Sequence, residues 1–410
     1  MYEGKIYVTG LGIVSALGVG KEETLSALRG KRSGIAPIRF LHTAHSELPA
    51  GEVKLTNETM MQMMGIPEEE PAIRTALTGM IAVREALQQA RLSQHNHSRI
   101  ALVSGTTVGG MDKTEQYYPD FLTNDSKNAY ISMHNCGAST ELIADRFDIF
   151  SRVATISTAC SSAANAIMMG AELIRDGRTD IAVTGGSECL TKFHLNGFNT
   201  LMILDKQACR PFDRDRSGLN LGEGAAYLVL ESEESLHRRN VQPLCLLSGY
   251  ANTCDAFHQT ASSPDGEGAY LAMMQALDMA QLHPSDIGYI NAHGTGTPNN
   301  DLSEGIAVQR AFATGIPPVS STKAFTGHAT SAAGGLEAVI SVLALQYDFI
   351  PVNLNFSSPM PELSFTPVVT DMPEQSLRHV LSNSFGFGGN ESTVIFSAVP
   401  PISQNKNTIQ

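Results

Sequence analysis

Short apolar runs, most of them followed by glycine, recur along the chain, and longer amphipathic segments separate them. The apolar runs are KIYVTGLG (5–12), RIALVSGTTVGG (99–110), DIAVTGGSE (180–188), AAYLVLES (225–232) and IGYINAHGTG (287–296). In RTALTGMIAVREALQQARL (74–92) and SAANAIMMGAELIRDG (162–177), apolar residues return every three or four positions, which predicts helices. Because strands covered on both faces read as continuous apolar runs, this alternation predicts α/β layers with largely buried sheets.

The same pattern resumes after residue 250, which indicates two halves of similar build. Its segments there include GAYLAMMQALDMAQL (268–282), GGLEAVISVLALQY (334–347) and STVIFSAVP (392–400). We therefore expect an N-terminal α/β half over residues 1–250, a C-terminal half over 251–400, and a frayed polar tail over 401–410. Residues 105–150 are expected to form an irregular insertion with Asn-rich turns, used in packing or assembly.

Composition narrows the function classes. With 410 residues, 42% of them hydrophobic, the chain can bury a large core, and 28 basic against 41 acidic side chains do not suit nucleic-acid binding. No stretch approaches the ~18 apolar residues that would span a bilayer, so we expect no membrane insertion. A strand-like segment begins almost at once, so we expect no leader peptide. Six cysteines without CxxC spacing indicate thiols in a reducing, cytoplasmic setting.

Cys160 is the first candidate for chemistry. The preceding segment, RVATIST, has the β-branched content of a strand, and the following residues keep helical periodicity up to Gly177, a predicted C-terminal cap. At such a strand-to-helix turn, unpaired N–H groups and the helix dipole would lower the thiol pKa from its free value of about 8.5. Taken alone, a small buried cysteine is the commoner case.

A second group of residues changes that balance. His293 ends an apolar run before a glycine-rich turn, Lys323 and His328 lie five positions apart, and Glu337 is on the following predicted helix. A thiolate with two imidazoles suits zinc binding, a cysteine hydrolase or acyl transfer to carbon. Short zinc-ligand spacings are missing from the sequence, and a hydrolase usually needs one histidine with an orienting Asn or Asp.

At this combination the sequence resembles the β-ketoacyl-acyl carrier protein synthases, the elongating condensing enzymes of the thiolase superfamily, and most of all synthase II. Six motifs carry the resemblance in order: VTGLGIVSALG (8–18), STACSSAANAI (157–167), RPFDRDRSGLNLGEGAA (210–226), NAHGTGTPNNDLSE (291–304), SSTKAFTGHATSAAGGLEA (320–338) and SNSFGFGGN (382–390). The resemblance implies a thiolase-like layered αβαβα fold built from two similar halves. It also implies decarboxylative Claisen condensation of a malonyl thioester on acyl carrier protein, in fatty acid synthesis or an aryl polyene or polyketide-type pathway.

The resemblance also assigns roles. It implies that Cys160 accepts the acyl group, that His293 and His328 assist decarboxylation, that Lys323 polarises the histidine site and that Glu337 supports it. Thioester exchange needs a thiolate, and the enolate formed by decarboxylation needs hydrogen-bond donors, which two imidazoles can supply.

The C-terminal glycine motif is expected to complete the site. The backbone N–H groups of Cys160 and Phe387 would hold the oxyanion, glycines would allow close approach to the sulfur, and two phenylalanines would supply apolar walls, with Phe387 as a movable gate. The supporting residues are Phe385, Gly386, Gly388 and Gly389. No cofactor is expected to be required. In some relatives a sodium or potassium ion lies where this chain has Asn291, Asn383, Ser384 and Glu337.

The chain departs from the family pattern at several positions. The family loop usually reads GFGGTN, whereas Asn390 and Glu391 replace Thr and Asn here. Further differences surround the expected substrate channel, at Leu219, Phe325, Ala329 and Ser331. They leave the length and shape of the acyl chain open.

Carrier docking is a further departure. Relatives dock the acidic carrier on basic residues before and within the helix near residues 55–80, but this chain has Glu68, Glu69 and Glu70 there, with only Lys54 and Arg74 as positive charges. We therefore expect docking on Arg210, Arg214 and Arg216, or on another subunit. The partner would be a second copy in a homodimer or a chain-length-factor-like homologue in a heterodimer.

Two other functions remain in view. One is a non-catalytic subunit like a chain-length factor, which would normally lack the nucleophile. The other is a nicotinamide-dependent oxidoreductase, but Gly10 and Gly12 are a weak fingerprint because Ser15 replaces the third glycine. Thiolases would need a second catalytic cysteine in the C-terminal glycine motif, and residues 382–390 contain none.

Overall fold

The computed structural model describes residues 4–93, 98–373 and 376–399, so the predicted tail over 401–410 lies outside the described residues. The strands are β1 Ile6–Ser15, β2 Gly18–Val19, β3 Ala36–Pro37, β4 Pro49–Ala50, β5 Ile100–Gly105, β6 Arg152–Ile156, β7 Ile181–Glu188, β8 Gly224–Ser232, β9 Cys245–Cys254, β10 Tyr289–Asn291, β11 Val319–Ser320, β12 His379–Gly386 and β13 Asn390–Ser397.

Helices alternate with these strands, as the apolar periodicity predicts. They are α1 Gly20–Arg29, α2 Asn57–Met64, α3 Arg74–Gln89, α4 Met111–Tyr117, α5 Asn128–Ser132, α6 Cys136–Phe147, α7 Ser162–Arg175, α8 Lys192–Thr200, α9 Glu233–Arg239, α10 Glu267–Ala280, α11 Pro298–Ala311, α12 Lys323–Thr326 and α13 Ala333–Tyr347. Across the described ranges, no helix is long and apolar enough to cross a membrane.

One large mixed sheet runs through the molecule in the order β11-β10-β12-β13-β9-β1-β8-β7-β5-β6, and β2 pairs with β1. The pairs next to both ends of the sheet are parallel, and those in the middle are antiparallel. β6 is an edge strand, paired only with β5 among the described strands. The predicted division at residue 250 falls inside β9, and it stays a prediction.

Helices form three layers around the sheet strands. α7 and α13 pack against each other and against strands from both halves, α3 covers β1 and β8, and α10 covers β9 and β13. The buried apolar residues accordingly form separate clusters, one around α7 and α13, one under α3 and one under α10 and α11. The strands covered by α3 form one β layer and those covered by α10 form the other, with α7 and α13 between them. This arrangement confirms the predicted αβαβα layering.

Two glycines in β1 allow α3 to pack closely on the sheet. Gly10 and Gly12 lie inside β1, and a Cβ built on Gly12 would lie 1.9 Å from the carbonyl oxygen of Ala82 in α3. Only glycine allows the helix to approach the strand this closely. The motif is therefore not a phosphate-binding turn before a helix, which removes the structural basis for the nicotinamide hypothesis.

The insertion over residues 105–150 is more regular than predicted, since it contains α4, α5 and α6. The sequence suggested turns because it is rich in asparagine. The side chain of Asn135 accepts a hydrogen bond from the backbone N–H of Ala138 and so caps the first turn of α6. The asparagine therefore marks the start of a helix.

Candidate active site

Cys160 lies in the turn between β6 and α7, as predicted. Ala159 adopts a left-handed conformation with a φ of 51°, and the Oγ atoms of Ser161 and Ser162 accept or donate hydrogen bonds within the same turn. α7 ends at Arg175, and Gly177 follows in a left-handed conformation, consistent with its predicted capping role. The turn presents the sulfur at the N-terminus of α7, with only 6% of the cysteine exposed.

The predicted lowering of the Cys160 pKa is wrong. Burial raises the pKa of the thiol to about 12, although the Lys323 charge and the Phe387 N–H act in the opposite direction. Loss of hydration disfavours the thiolate more strongly than these groups stabilise it. The resting residue is a neutral thiol, which needs a base nearby before it can attack a substrate.

His328 is placed where such a base is needed. Its Nε2 atom lies 3.2 Å from the Cys160 sulfur, and its Nδ1 atom has no hydrogen-bond partner in the structure. Burial and the nearby Lys323 charge hold the pKa of His328 well below its ordinary value. The ring is neutral, and no contact at Nδ1 fixes which nitrogen carries the proton.

His293 faces the same space. Its ring centroid lies 5.2 Å from that of His328, and the two ring planes are nearly perpendicular. Burial lowers the pKa of His293 well below its ordinary value, and the charge of Lys323 acts in the same direction. Two neutral imidazoles therefore converge beside the cysteine, as predicted from the second-half motifs.

Lys323 determines the tautomer of His293. Its Nζ atom lies 3.1 Å from His293 Nδ1 and 2.6 Å from the His293 carbonyl oxygen, and it forms a buried ion pair with Glu337 Oε1. A protonated amine can only donate, so Nδ1 accepts and the imidazole proton lies on Nε2. Burial raises the pKa of Glu337 to about 7, against the opposing effect of Lys323.

The turn from β12 into β13 lies against the cysteine. We call residues 386–389, which begin with the last residue of β12, the glycine loop. A Cβ built on Gly386 would lie 3.1 Å from the Cys160 backbone nitrogen, and the Phe387 N–H hydrogen-bonds the Cys160 sulfur. Gly388 and Gly389 have φ angles of 82° and 79°, which favour glycine. The structure thus brings together both predicted oxyanion donors.

The two phenylalanines line the site on different sides. The Phe385 ring centroid lies 5.7 Å from that of His293, and the Phe387 ring stacks on Phe198 at 5.8 Å. Cys160 lies between two cavities. One of about 360 Å³ also contains both histidines, and the other, of about 500 Å³, has a largely apolar lining that includes Phe193, Phe198, Leu201 and Phe387.

Two buried carboxylates support the site and were not predicted. Glu304 accepts hydrogen bonds from the backbone N–H groups of His293 and Gly294 at 2.9 and 2.7 Å, and so holds the turn that carries the histidine. Glu188 accepts hydrogen bonds from the hydroxyls of Thr106, Thr107 and Thr330. Glu304 is the last residue of the first histidine motif, 11 positions after His293. An acidic residue at that position in the motif could have been predicted from the sequence to support the histidine. The partners of Glu188 are too distant in sequence to have provided one.

The predicted cation position is only partly assembled. Asn291 Nδ2 donates to the Glu337 carbonyl oxygen at 3.1 Å, and both Asn291 Oδ1 and Glu337 Oε2 are buried without a partner. By contrast, the Asn383 side chain contacts Glu304 and Thr393 instead. Ser384 Oγ faces Gly334 at the start of α13. Among the described residues there is no group of three or more His, Cys, Asp and Glu that could hold a metal ion.

The basic residues considered for docking differ in exposure. Arg74 is buried in a bidentate ion pair with Glu223, and this carboxylate raises its pKa, so Arg74 is a structural residue. Lys54 donates to the Gly34 carbonyl oxygen, and the Arg216 side chain is only 8% exposed. Of the predicted positions, Arg214 has the most accessible side chain, at 57%.

Known protein families match most of the chain. The model described as beta-ketoacyl synthase, N-terminal domain, matches residues 3–235, and the model described as beta-ketoacyl synthase, C-terminal domain, matches residues 244–357. A curated relative, 3-oxoacyl-[acyl-carrier-protein] synthase 2 of Staphylococcus aureus (strain COL), is 31% identical over 407 residues, covering 96% of this chain and 98% of the relative.

Solved structures show the same fold. The ishigamide ketosynthase/chain length factor superposes with a TM-score of 0.89 at 30% identity, covering 97% of this chain and 100% of that one. A type II PKS acyl-carrier protein in complex with its ketosynthase bound to the hexaketide gives a TM-score of 0.85 at 26% identity, with the same coverage of both chains.

Proposed function

Because the chain belongs to the β-ketoacyl synthase family and is a condensing enzyme, we propose that Cys160, His293 and His328 carry out its reaction in three steps. The observation that carries this proposal is the convergence of a buried thiol and two neutral imidazoles beside the two backbone donors of Cys160 and Phe387. The acyl group would be delivered as a thioester on an acyl carrier protein.

The first step transfers the acyl group to the enzyme. With its proton on Nδ1, His328 accepts the thiol proton at Nε2 while the Cys160 sulfur attacks the thioester carbon. The backbone N–H groups of Cys160 and Phe387 hold the resulting oxyanion. The carrier's sulfur then leaves and takes the proton from His328, so that one thioester replaces another.

The second step is decarboxylation of the malonyl thioester. Carbon dioxide leaves, and the electron pair of the broken carbon–carbon bond becomes an enolate. Its oxygen accepts a hydrogen bond from Nε2–H of His293, whose tautomer Lys323 maintains. It accepts another from His328 once that ring has lost its Nδ1 proton to solvent and gained one at Nε2. Neutral donors at this position stabilise charge that exists only after carbon dioxide has left.

The third step forms the new bond. The enolate carbon attacks the acyl carbonyl on Cys160, and the same two backbone N–H groups hold the oxyanion. When this intermediate collapses, it expels the Cys160 thiolate, which takes a proton from solvent through His328. The product is a β-ketoacyl thioester two carbons longer than the acyl group.

The two cavities would bind different parts of the substrate. We assign the 360 Å³ cavity, with Thr295, Thr297 and Ser262 in its lining, to the polar arm of the carrier, because it contains both histidines. The largely apolar 500 Å³ cavity would take the acyl chain. Both fatty acyl and polyketide-type chains fit this chemistry.

A second ketosynthase-like chain is the proposed partner. β6 offers an unpaired edge in which Val153 is 40% exposed, and the apolar cavity has exposed Phe193 and Leu201 in its wall. Exposed edges and apolar patches of this kind mark interfaces. The structural relative with a chain length factor supports a heterodimer, in which that factor covers β6.

No organic cofactor has a role in these steps. An alkali cation is compatible with the unpartnered oxygens Asn291 Oδ1 and Glu337 Oε2, since carbonyl and carboxylate oxygens are the ligands that such cations prefer. It would supply positive charge behind the buried Lys323–Glu337 pair and take no part in bond making.

Mass spectrometry of the loaded enzyme tests the proposal. After incubation with acyl carrier proteins bearing candidate acyl groups, we expect the acyl mass on the peptide that contains Cys160. The Cys160→Ala variant should carry none and should not condense. Condensation by Cys160→Ala at the wild-type rate would refute the assignment of the nucleophile.

A further inference from the structure

Glu391 is a buried acid that the reaction steps do not use. It lies on β13 directly after the glycine loop, is 2% exposed and is part of the lining of the cavity that contains Cys160. Its Oε2 atom is buried and has no hydrogen-bond partner among the described residues. An unpartnered carboxylate at this depth is costly, so the neutral acid is the form that fits.

The charges around Glu391 make ionisation still less favourable. The neighbouring charges that act on its carboxyl are Asp255 and Glu304, both acidic, and with burial they raise its pKa well above the ordinary value. On α10, Glu267 is paired with Arg310 at 2.6 Å. On β9, Cys254 is a further titratable neighbour of the glycine loop, with its sulfur 3.9 Å from the Gly388 carbonyl oxygen. His258, next to Gln259, is another, and its Nδ1 accepts a hydrogen bond from the Thr260 N–H at 3.2 Å.

Glu391 lies where two loops meet. Residues 255–266, which we call the mouth loop, join β9 to α10 and contribute Thr260, Ala261 and Ser262 to the cavity lining. The Gly388 N–H donates to the Gln259 carbonyl oxygen at 2.8 Å, and the Asp255 N–H donates to the Gly389 carbonyl oxygen at 2.9 Å. These two bonds tie the mouth loop to the glycine loop.

The carboxyl of Asp255 cannot stabilise a negative charge on Glu391. Its carboxylate accepts hydrogen bonds from the Ser263 hydroxyl, the Ser263 N–H and the Gly268 N–H, at 2.8, 2.6 and 3.2 Å. A Cβ built on Gly268 would lie 2.8 Å from Asp255 Cβ and 2.9 Å from Glu391 Cγ, so the two acidic side chains pack against the same glycine. A second negative charge here would repel the first at short range.

We propose that Glu391, as a neutral carboxylic acid, is a positioning residue that keeps the glycine loop closed against the mouth loop, and that its ionisation separates the two loops. The Phe387 N–H would then move away from Cys160, so the oxyanion would lose one donor. The consequence for condensation rests on the proposed function, but the loop movement does not.

The loop movement can be measured without any substrate. The chain contains no tryptophan, so a Phe257→Trp variant carries a single fluorophore on the mouth loop, at a position that is 56% exposed. A Cys254→Ser change in the same background removes the neighbouring thiol. We expect quenching by acrylamide to rise with pH as a one-proton transition, and Glu391→Gln to abolish that transition.

The catalytic consequence is measured on the same proteins. Condensation by the parent should fall about tenfold per pH unit above the midpoint of the fluorescence transition, because only the closed form reacts. Glu391→Gln should lack the decline above that midpoint. Asp112→Asn is the matched control, because burial raises the pKa of Asp112 to about 6 but this acid is not part of the lining of the Cys160 cavity. The variant should keep both the fluorescence transition and the decline in condensation rate.

Each result decides the proposal. A fluorescence transition that persists in Glu391→Gln, or in Glu391→Asn if the first variant does not fold, overturns it. So does a parent protein with no such transition over the pH range in which it stays folded. If the fluorescence transition depends on Glu391 but the protein never forms acyl-Cys160, the loop movement is supported. That result counts against the proposed function instead.

Discussion

The Nε2 atom of His328 lies 3.2 Å from the sulfur of Cys160, although the two residues are 168 positions apart. Burial raises the pKa of the thiol and lowers that of the imidazole, so both partners are neutral in the resting enzyme. The pair is therefore a neutral thiol beside a neutral imidazole that is able to accept its proton.

The first prediction concerns alkylation of Cys160. Below its pKa, the thiolate fraction of a cysteine rises about tenfold per pH unit, so modification by iodoacetamide should still be accelerating at about pH 10. A free cysteine levels off near 8.5. Mass spectrometry of the Cys160 peptide gives the rate. A plateau below pH 8 would instead support the lowered pKa that the helix dipole suggests.

The second prediction concerns the base. His328→Ala should slow acyl transfer to Cys160 by roughly 10²–10⁴-fold, the usual contribution of a positioned general base. The measurement is the rate of acyl-enzyme formation from acyl carrier protein in a single turnover. His134→Ala removes an exposed histidine bonded to Thr114, outside both cavities, and should match the wild type. Equal rates for all three proteins would remove His328 from the first step.

The third prediction separates the two histidines. Of the two imidazoles, it is His328 that hydrogen-bonds the Cys160 sulfur, so His293→Ala should still form the acyl-enzyme. Decarboxylation should fall by roughly 10²–10³-fold because one enolate donor is lost. Release of labelled carbon dioxide from a malonyl thioester measures the second step independently of the first. A variant that loses both steps to the same degree would contradict this division.

The sequence was sufficient to predict the strands and helices and to name the candidate site residues. Strands and helices followed from apolar periodicity, and Cys160 and His293 lie at turns that end apolar runs, where local pattern is a strong guide. The αβαβα layering came from the resemblance and needed the structure to show that α7 and α13 contact strands from both halves.

What the sequence could not provide depends on contacts between distant segments. The sign of the Cys160 pKa shift follows from how completely the surrounding elements exclude water, which no local pattern records. Likewise, the sequence shows Arg74 only as a positive charge in the region where relatives dock the carrier, but it pairs with Glu223, 149 positions away, and is buried. Glu188 is satisfied by hydroxyls that come from two other loops.

The last prediction concerns the buried pair of Lys323 and Glu337. Lys323→Met removes one partner and leaves a carboxyl buried without its counter-charge, which typically costs about 3–5 kcal/mol of unfolding free energy near neutral pH. Burial raises the pKa of Glu337, and Lys323 opposes that rise, so in Lys323→Met the pKa is raised further and the carboxyl protonates as the pH falls through that higher value. The cost of Lys323→Met should therefore shrink on acidification, as urea unfolding at several pH values would show.

The double variant Lys323→Met/Glu337→Gln distinguishes stability from catalysis. It contains no buried charge at this position, so it should recover most of the lost unfolding free energy and its stability should no longer depend on pH through Glu337. It still lacks the ammonium that donates to His293 Nδ1, so the imidazole proton is free to leave Nε2. Decarboxylation should therefore stay low in a stable protein. If activity returns together with stability, Lys323 serves only to neutralise Glu337, and the tautomer argument fails.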